Sequence, residues 1–403
     1  MSAFIEICGG VTAPNGFVAA SAFCGIKASN QSKHDVALIH SPVPSVGAAT
    51  FTTNKVKAAP VRVSMSHMRC ADIRAIVANS GNANACTGVT GIKHAQRMVH
   101  AAAHALKLRD PQVLVCSTGR IGVEMPIEKL EQTISQLPAA LQKDGSLKAA
   151  RAIMTSDTFP KEVAVELELD GKRVRIGGIA KGAGMIDPNM ATMLCFITTD
   201  ATIRKKDLQR ALSAAVEQSF NRITVDGDMS TNDTVIALAN GLAGNPLLKR
   251  PHESFKKFQS ALNHVTGQLA RMIVQDGEGV TKFVEVCVKN AATFQDARKA
   301  AEAIANSMLV KCAWFGGDPN WGRILDAVGY SGARIREEHV DIYYNGLIAV
   351  KHGMASQTPF AELEKIVREP KFTVTVDLQI GHADYWVLTT DLSTRYVELN
   401  MGE

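Results

Sequence analysis

"KGAGMIDPNMATML", residues 181–194, decides how the rest of the chain is read. Two close glycines, an Asp-Pro and an Asn build a turn-forming segment, and Ala191-Thr192 runs from it straight into an apolar strand. Gly, Pro, Asn and Asp supply the backbone conformations that turns require. Two readings follow. The segment is a loop feeding a buried strand, or the chain is built to break before Thr192 and to use that threonine as a nucleophile. These residues alone leave both open.

The flanks set the fold class. "MLCFITT" (193–199) is a continuous apolar run, expected as a strand buried on both faces. Upstream, "EVAVELELDGKRVRIGGI" (162–179) alternates Val163, Val165, Leu167 and Leu169, and Asp170-Gly171 supplies a hairpin turn. Helical spacing appears in "GIKHAQRMVHAAAHALKL" (91–108), in "PIEKLEQTISQL" (126–137) with Pro126 in the first turn, and in "KKDLQRALSAAVEQSF" (205–220). Further on come the strand "KFVEVCVKN" (282–290), the helix "FQDARKAAEAIANSML" (294–309) and a hairpin "VDIYYNGLIAV" (340–350) turned at Asn345-Gly346. "FAELEKIV" (360–367) and "KFTVTVDLQI" (371–380) add a helix and a strand. Hairpins mixed with helices predict a layered α/β (α+β) class, with antiparallel sheets sandwiched by helices and no parallel doubly wound sheet. A composition break near residues 288–296 predicts a large domain at 1–288 and a smaller C-terminal α/β domain at 289–403.

Composition narrows the function classes. The chain has 403 residues, 46% of them hydrophobic, 21% charged and 5% aromatic, with a formal net charge of +5. The basic patches around Lys148 and Arg151 and at Arg204–Lys206 are short and lack interleaved aromatics, so a nucleic-acid surface is not expected. Eight cysteines, several inside apolar runs such as "VLVC" and "VEVC" and none in C-x-x-C, fit reduced buried thiols and no disulfide framework or zinc site. No signal peptide or membrane-length apolar run is read, so the cytoplasm is the expected compartment.

Familiar chemical motifs fail. Gly182-x-Gly184 lacks a third glycine, Gly277-Glu278-Gly279 lacks phosphate-loop spacing, and there is no H-E-x-x-H or G-x-S-x-G. What remains is a set of polar, glycine-rich loops beside apolar strands: "VANSGNANACTG" (77–88), "VCSTGRIG" (115–122), "IMTSDTFPK" (153–161), "DGDMSTNDT" (226–234), "VQDGEGVTK" (274–282) and "GGDPNWGR" (316–323). Singly, each is a turn capped by its own side chains. As a set they have the look of a built site, because sites are carried on loops. In "VCSTGRIG" a strand delivers Ser117, Thr118 and Gly119 into a turn. A glycine amide beside a hydroxyl makes a good oxyanion donor pair.

Together with "GGVTAPNGF" (9–17), "FTTNKVKAAP" (51–60) and "SFNRITVDGDMSTNDT" (219–234), these motifs occur in the order found in the ornithine acetyltransferases, also called glutamate N-acetyltransferases. The chain resembles that family from about residue 9 to Asn400. The resemblance implies a two-domain, self-processing aminopeptidase-like architecture. It also implies self-cleavage between Ala191 and Thr192, with the fragments remaining associated as a heterotetramer of two of each. It implies ping-pong transfer of an acetyl group from N-acetylornithine to glutamate in cyclic arginine biosynthesis. Thr192 is then the nucleophile, Thr118 and Gly119 the oxyanion hole, and Thr155, Lys181, Thr192, Glu278 and Asn400 the substrate-binding residues. No metal or resident cofactor is implied, and acetyl-CoA is left open as a second donor. Alternatives are a self-processing N-terminal-threonine aminopeptidase or amidohydrolase and a non-catalytic paralogue. Two features depart from the family pattern: Arg120 stands where a small apolar residue is expected, and the chain stops at "ELNMGE" instead of running on to a terminal Thr or Ser.

Overall fold

Alternation and turn chemistry act together in the central hairpin of the computed structural model, which describes residues 4–27, 31–187 and 193–401. Asp170 and Gly171 both take positive φ, 50° and 75°, the twist that matches two-residue turns to paired strands. Asn345 and Gly346 repeat the device at 47° and 86°.

The described residues fall into two compact units. The first comprises Met1–Gly182, Asn189–Asn221 and Met229–Ile273; the second comprises Ala183–Pro188, Arg222–Asp228 and Val274–Glu403. The expected division after residue 288 falls inside a strand of the second unit, Phe283–Ala291, which is hydrogen-bonded on both sides. A chain cannot be divided there without breaking a sheet, so the unit starts earlier, at Val274.

In the first unit the strands are β1 (Phe4–Ile7), β2 (Val18–Ala22), β3 (Val36–His40), β4 (Val46–Phe51), β5 (Ala75–Asn82), β6 (Val113–Arg120), β7 (Lys161–Leu169), β8 (Lys172–Lys181), β9 (Leu194–Thr199) and β10 (Thr234–Ala239). They form a six-stranded sheet, β1-β7-β8-β9-β10-β4, and a four-stranded sheet, β2-β3-β5-β6. Pairing is mostly antiparallel, but β9–β10 and β5–β6 are parallel. The two sheets stack on a shared core: Ile39, Ile76, Ala78 and Leu114 from one meet Ile179, Leu194, Phe196 and Ile236 from the other. β9, with β8 and β10 on either side, is buried along its whole length, as its unbroken apolar run predicts.

Helices cover the outer faces. α1 (Ala59–His67), α2 (Gly88–Leu106) and α3 (Ile127–Gln136) pack on Val36, Leu38, Val77 and Val115 of the smaller sheet, while α4 (Ser146–Ala152) joins the core between the sheets. α5 (Lys205–Glu217) manages an exposed edge. Its Gln209 accepts from the Ala49 amide at 3.1 Å and donates to the Ala49 carbonyl at 3.0 Å, which blocks the free side of β4. α6 (Glu253–Gln275) is tied to α5 by Gln259, which donates to the Ala211 carbonyl, and it packs where Gly178 has no side chain. A Cβ there would lie 2.9 Å from Leu269. The layers are therefore helix, sheet, sheet, helix.

The second unit holds β11 (Phe283–Ala291), α7 (Phe294–Asn306), α8 (Met308–Phe315), α9 (Trp321–Tyr330), β12 (Asp341–Tyr344), β13 (Leu347–Lys351), β14 (Met354–Ala355), α10 (Phe360–Arg368), β15 (Lys371–Asp377), β16 (Ala383–Thr390) and α11 (Thr394–Leu399). Its sheet runs β14-β13-β12-β15-β11-β16, with β11 parallel to β15. The helix expected over 294–309 is two helices, because the Ser307 side chain accepts from the Val310 amide and starts a new one. Among the described residues no helix is long and apolar enough to cross a membrane.

Phe196 is fully buried between the stacked sheets. Phe196→Ala should cost about 3–5 kcal/mol. Its thermal unfolding midpoint should fall clearly below wild type, while Ile5→Ala, on an exposed edge strand, should stay within about 0.5 kcal/mol.

Candidate active site

Strand ends build the site in the first unit. β6 brings Thr118 and Gly119 to its C-terminal end, in register with Ser80 and Gly81 of β5. Thr118 is buried, and Arg120 beyond it is exposed to solvent. Gly119 has φ +131°, and a Cβ there would lie 2.3 Å from the Gly81 carbonyl carbon and 2.5 Å from the Asn82 nitrogen. No other residue fits this turn of backbone, which is why a glycine follows the threonine.

β8 ends at Lys181, whose side chain is almost fully buried. Its ammonium donates to the Thr155 hydroxyl at 2.7 Å and reaches the Thr118 hydroxyl at 3.5 Å. The structure thus brings together Thr118, Thr155 and Lys181, three of the residues the sequence singles out. What holds them is Asp157, a fourth residue. Its fully buried carboxylate lies 2.7 Å from the Lys161 ammonium and 3.8 Å from that of Lys181. It also accepts from the Thr155 amide at 2.9 Å and the Gly182 amide at 2.7 Å. Burial alone would push the Asp157 carboxyl up, but Lys181, Lys161 and the amides outweigh it and hold the group well below the usual carboxylate range. In the sequence Asp157 stands only as the acid of the polar loop "IMTSDTFPK", four residues before Lys161.

Thr192 and Ala191 lie outside the described residues. Met193, which follows Thr192 in sequence, is held: its amide donates to Asp233 at 2.9 Å and its carbonyl accepts from Thr234 at 3.1 Å. Asp233 is fully buried, and its second oxygen has no hydrogen-bond partner among the described residues. Burial raises its carboxyl well above the ordinary range, against the pull of the Met193 amide and Lys181. In the sequence Asp233 stands only as one acid of the polar loop "DGDMSTNDT".

Glu278 and Asn400 belong to the second unit. Asn400 donates to the Glu278 carboxylate and to the Tyr396 carbonyl, each at 2.9 Å. Gly184 gives the Glu278 carboxylate room, since a Cβ there would lie 2.6 Å from it. Asp226 gathers the same neighbourhood, accepting from the Met185 and Ile186 amides and from the Tyr396 hydroxyl. Asp187, bonded to Asn306, is pushed up to about 7 by burial, with Glu302 and Asp226 adding repulsion. Among the described residues no cluster of His, Cys, Asp or Glu has the arrangement of a metal site.

Residues 18–402 match the model of the ArgJ family. The chain is 48% identical over 394 residues to the arginine biosynthesis bifunctional protein ArgJ of Symbiobacterium thermophilum, with 98% of each chain covered. It is 48% identical over 404 residues to the glutamate N-acetyltransferase of Methanocaldococcus jannaschii, covering 97% of this chain and 98% of that one. Among solved structures, the arginine biosynthesis bifunctional protein argJ of Bacillus halodurans is 40% identical, with a TM-score of 0.49, over 51% of this chain and 97% of that one.

Asp157→Asn strips two buried ammonium groups of their shared carboxylate and should cost about 3–5 kcal/mol at neutral pH. The sign with pH is fixed by the depressed folded-state pKa. The wild-type advantage is present above the unfolded carboxyl value of about 3.9 and is lost as pH falls through the lower folded value. Thermal midpoints of wild type and variant should therefore converge at acid pH.

Proposed function

The chain belongs to the ArgJ family, and on that premise we propose that it moves an acetyl group from N-acetylornithine to glutamate through an acetyl ester on Thr192. It is an enzyme, like the relatives it matches along its length. The observation that most supports this reading is the meeting of Thr118, Thr155 and Lys181 around one buried ammonium fixed by Asp157.

The chemistry starts with self-cleavage. The Thr192 hydroxyl attacks the Ala191 carbonyl, the acyl group shifts from nitrogen to oxygen, and water hydrolyses the ester. Residues 1–191 and 192–403 result, staying associated as two copies of each. Cleavage frees the α-amine of Thr192, with a pKa near 8 in model peptides, which serves as base for the adjacent hydroxyl. In the transfer itself, Thr192 Oγ attacks the acetyl carbonyl of N-acetylornithine. The amine takes the hydroxyl proton and passes it to the leaving nitrogen of ornithine. The oxyanion is received by Thr118 and the Gly119 amide. The α-amine of glutamate then attacks the acetyl ester, and N-acetylglutamate leaves as Thr192 regains its proton.

Lys181, with Thr155, suits a substrate carboxylate, because a buried ammonium forms strong charge-assisted hydrogen bonds. Glu278, oriented by Asn400, suits a substrate amine. The reaction so written uses no resident cofactor and no metal. Acetyl-CoA as a second acetyl donor to glutamate accords with the word "bifunctional" in the relative's name. The cytoplasm is the compartment we assign.

N-terminal sequencing of the purified protein should show a fragment beginning Thr-Met-Leu-Cys. Thr192→Ala should stay a single chain and lose transfer from N-acetylornithine to glutamate on the order of a thousandfold or more. An active wild-type preparation that remains uncleaved, or an alanine variant that still transfers, overturns the assignment. Acetate formed as fast without glutamate as N-acetylglutamate forms with it identifies a hydrolase instead.

A further inference from the structure

One recess in the first unit, apart from the Thr155 it shares with the site, has no role in the reaction as written. It measures about 150 Å³ and is lined by Lys27, Lys33, Asp35, Ser80, Gly81, Met154 and Thr155. It adjoins the residues of the site directly. Gly81, in its wall, pairs in register with Gly119, and Thr155, on another side, accepts from Lys181 at 2.7 Å.

Its chemistry is basic and polar. The stem of Lys27 crosses the bare face of Gly81, where a Cβ would sit 3.2 Å from Lys27 Cγ. The Lys33 ammonium donates to the Met154 carbonyl at 2.9 Å. Asp35, also in the lining, accepts with one oxygen from the Cys24 amide at 2.7 Å and with the other from the Ile26 amide at 2.8 Å. It therefore fixes the segment that carries Lys27. Burial pushes the Lys33 ammonium down; Asp157 opposes this, Lys181 and Lys27 add to it, and Asp35 opposes it. An anion in the recess would favour its charged form.

The proposed reaction poses a problem that such a recess answers. Donor and acceptor are both α-amino acids served by one nucleophile, so their α-carboxylates can share a partner. Their side chains cannot, since ornithine ends in an ammonium and glutamate in a carboxylate. An environment that welcomes one repels the other.

Resting on that functional reading, we propose that the Lys27–Lys33 recess receives the side-chain carboxylate of the acidic acceptor amino acid. Lys27 and Lys33 supply the charge and Ser80 and Thr155 the polar walls. The recess makes glutamate the acceptor without a role in donor binding, because two ammonium groups turn away the ornithine side chain.

The test separates the half-reactions in the self-cleaved full-length protein. Exchange of labelled ornithine into N-acetylornithine reads the donor side alone; N-acetylglutamate formation reads the acceptor side. Lys27→Ala and Lys33→Ala should each raise the glutamate KM about tenfold or more, the scale of a lost charge-assisted hydrogen bond. Ornithine exchange should stay within about twofold, since neither lysine faces the donor in this account. Lys33→Arg should recover part of the loss, and the wild-type preference for glutamate over glutamine should shrink in both alanine variants. A fall in exchange equal to the fall in transfer, or no change in the glutamate KM, overturns the subsite. A rise confined to the KM for acetyl-CoA assigns the recess to a phosphate and also overturns it. A wild-type protein inactive in both assays overturns the functional reading and the subsite with it.

Discussion

One buried carboxylate organises the first unit. Asp157 binds Lys161 at the start of β7, the Gly182 amide just past the end of β8, and the Thr155 amide in its own loop, and it lies 3.8 Å from Lys181. Lys161 and Ala180 are paired across the hairpin, so the acid clamps the open end of β7–β8 opposite its Asp170-Gly171 turn. The clamp is costly to break, because a buried ammonium without its partner is among the most unfavourable groups a fold can hold. That stiffness suits the proposed chemistry. A catalytic constellation works only when its members are held by neighbours that are themselves fixed. Lys181 reaches Thr155 and Thr118 from a position the sheet and Asp157 jointly determine.

Close backbone approach does the complementary work. Gly119 sits against the Gly81–Asn82 backbone, where a methyl group would collide with atoms that cannot move. The approach exists because β5 and β6 are parallel and end together. The helix, sheet, sheet, helix layering supplies the frame: the ends of β6 and β8, from different sheets, meet over the shared core that Ile179 and Leu114 help fill.

Much of this was legible in the amino-acid sequence, for reasons that can be named. Both hairpins turn where Asp-Gly and Asn-Gly place them, because those pairs tolerate the positive φ that strand twist demands. The buried strand β9 follows from an apolar run too dense for a half-exposed position. The parallel pairs β5–β6, β9–β10 and β11–β15 were not legible, since apolar patterning marks which face is buried and not which strand lies alongside. The boundary after residue 288 failed for the same reason: β11 ends in loop-like composition but is locked between β15 and β16. Among site residues, Thr118, Thr155 and Lys181 were singled out through motif resemblance. Asp157 was visible only as one polar residue among several. Its importance comes from burial and from Lys181, 24 positions away in sequence, and neither has a local signature. Asp233 is no plainer, because an acid buried in a core looks in sequence like an acid in a turn.

The central claim is that this preorganised site passes an acetyl group through Thr192. The cleaved protein should therefore be mixed with N-acetylornithine alone, quenched and digested, and the peptide that begins at Thr192 weighed. An added acetyl group on Thr192, discharged when glutamate is supplied before the quench, is the predicted result. An enzyme that turns over with no acetyl group on that peptide, or with one on another residue, would contradict the account.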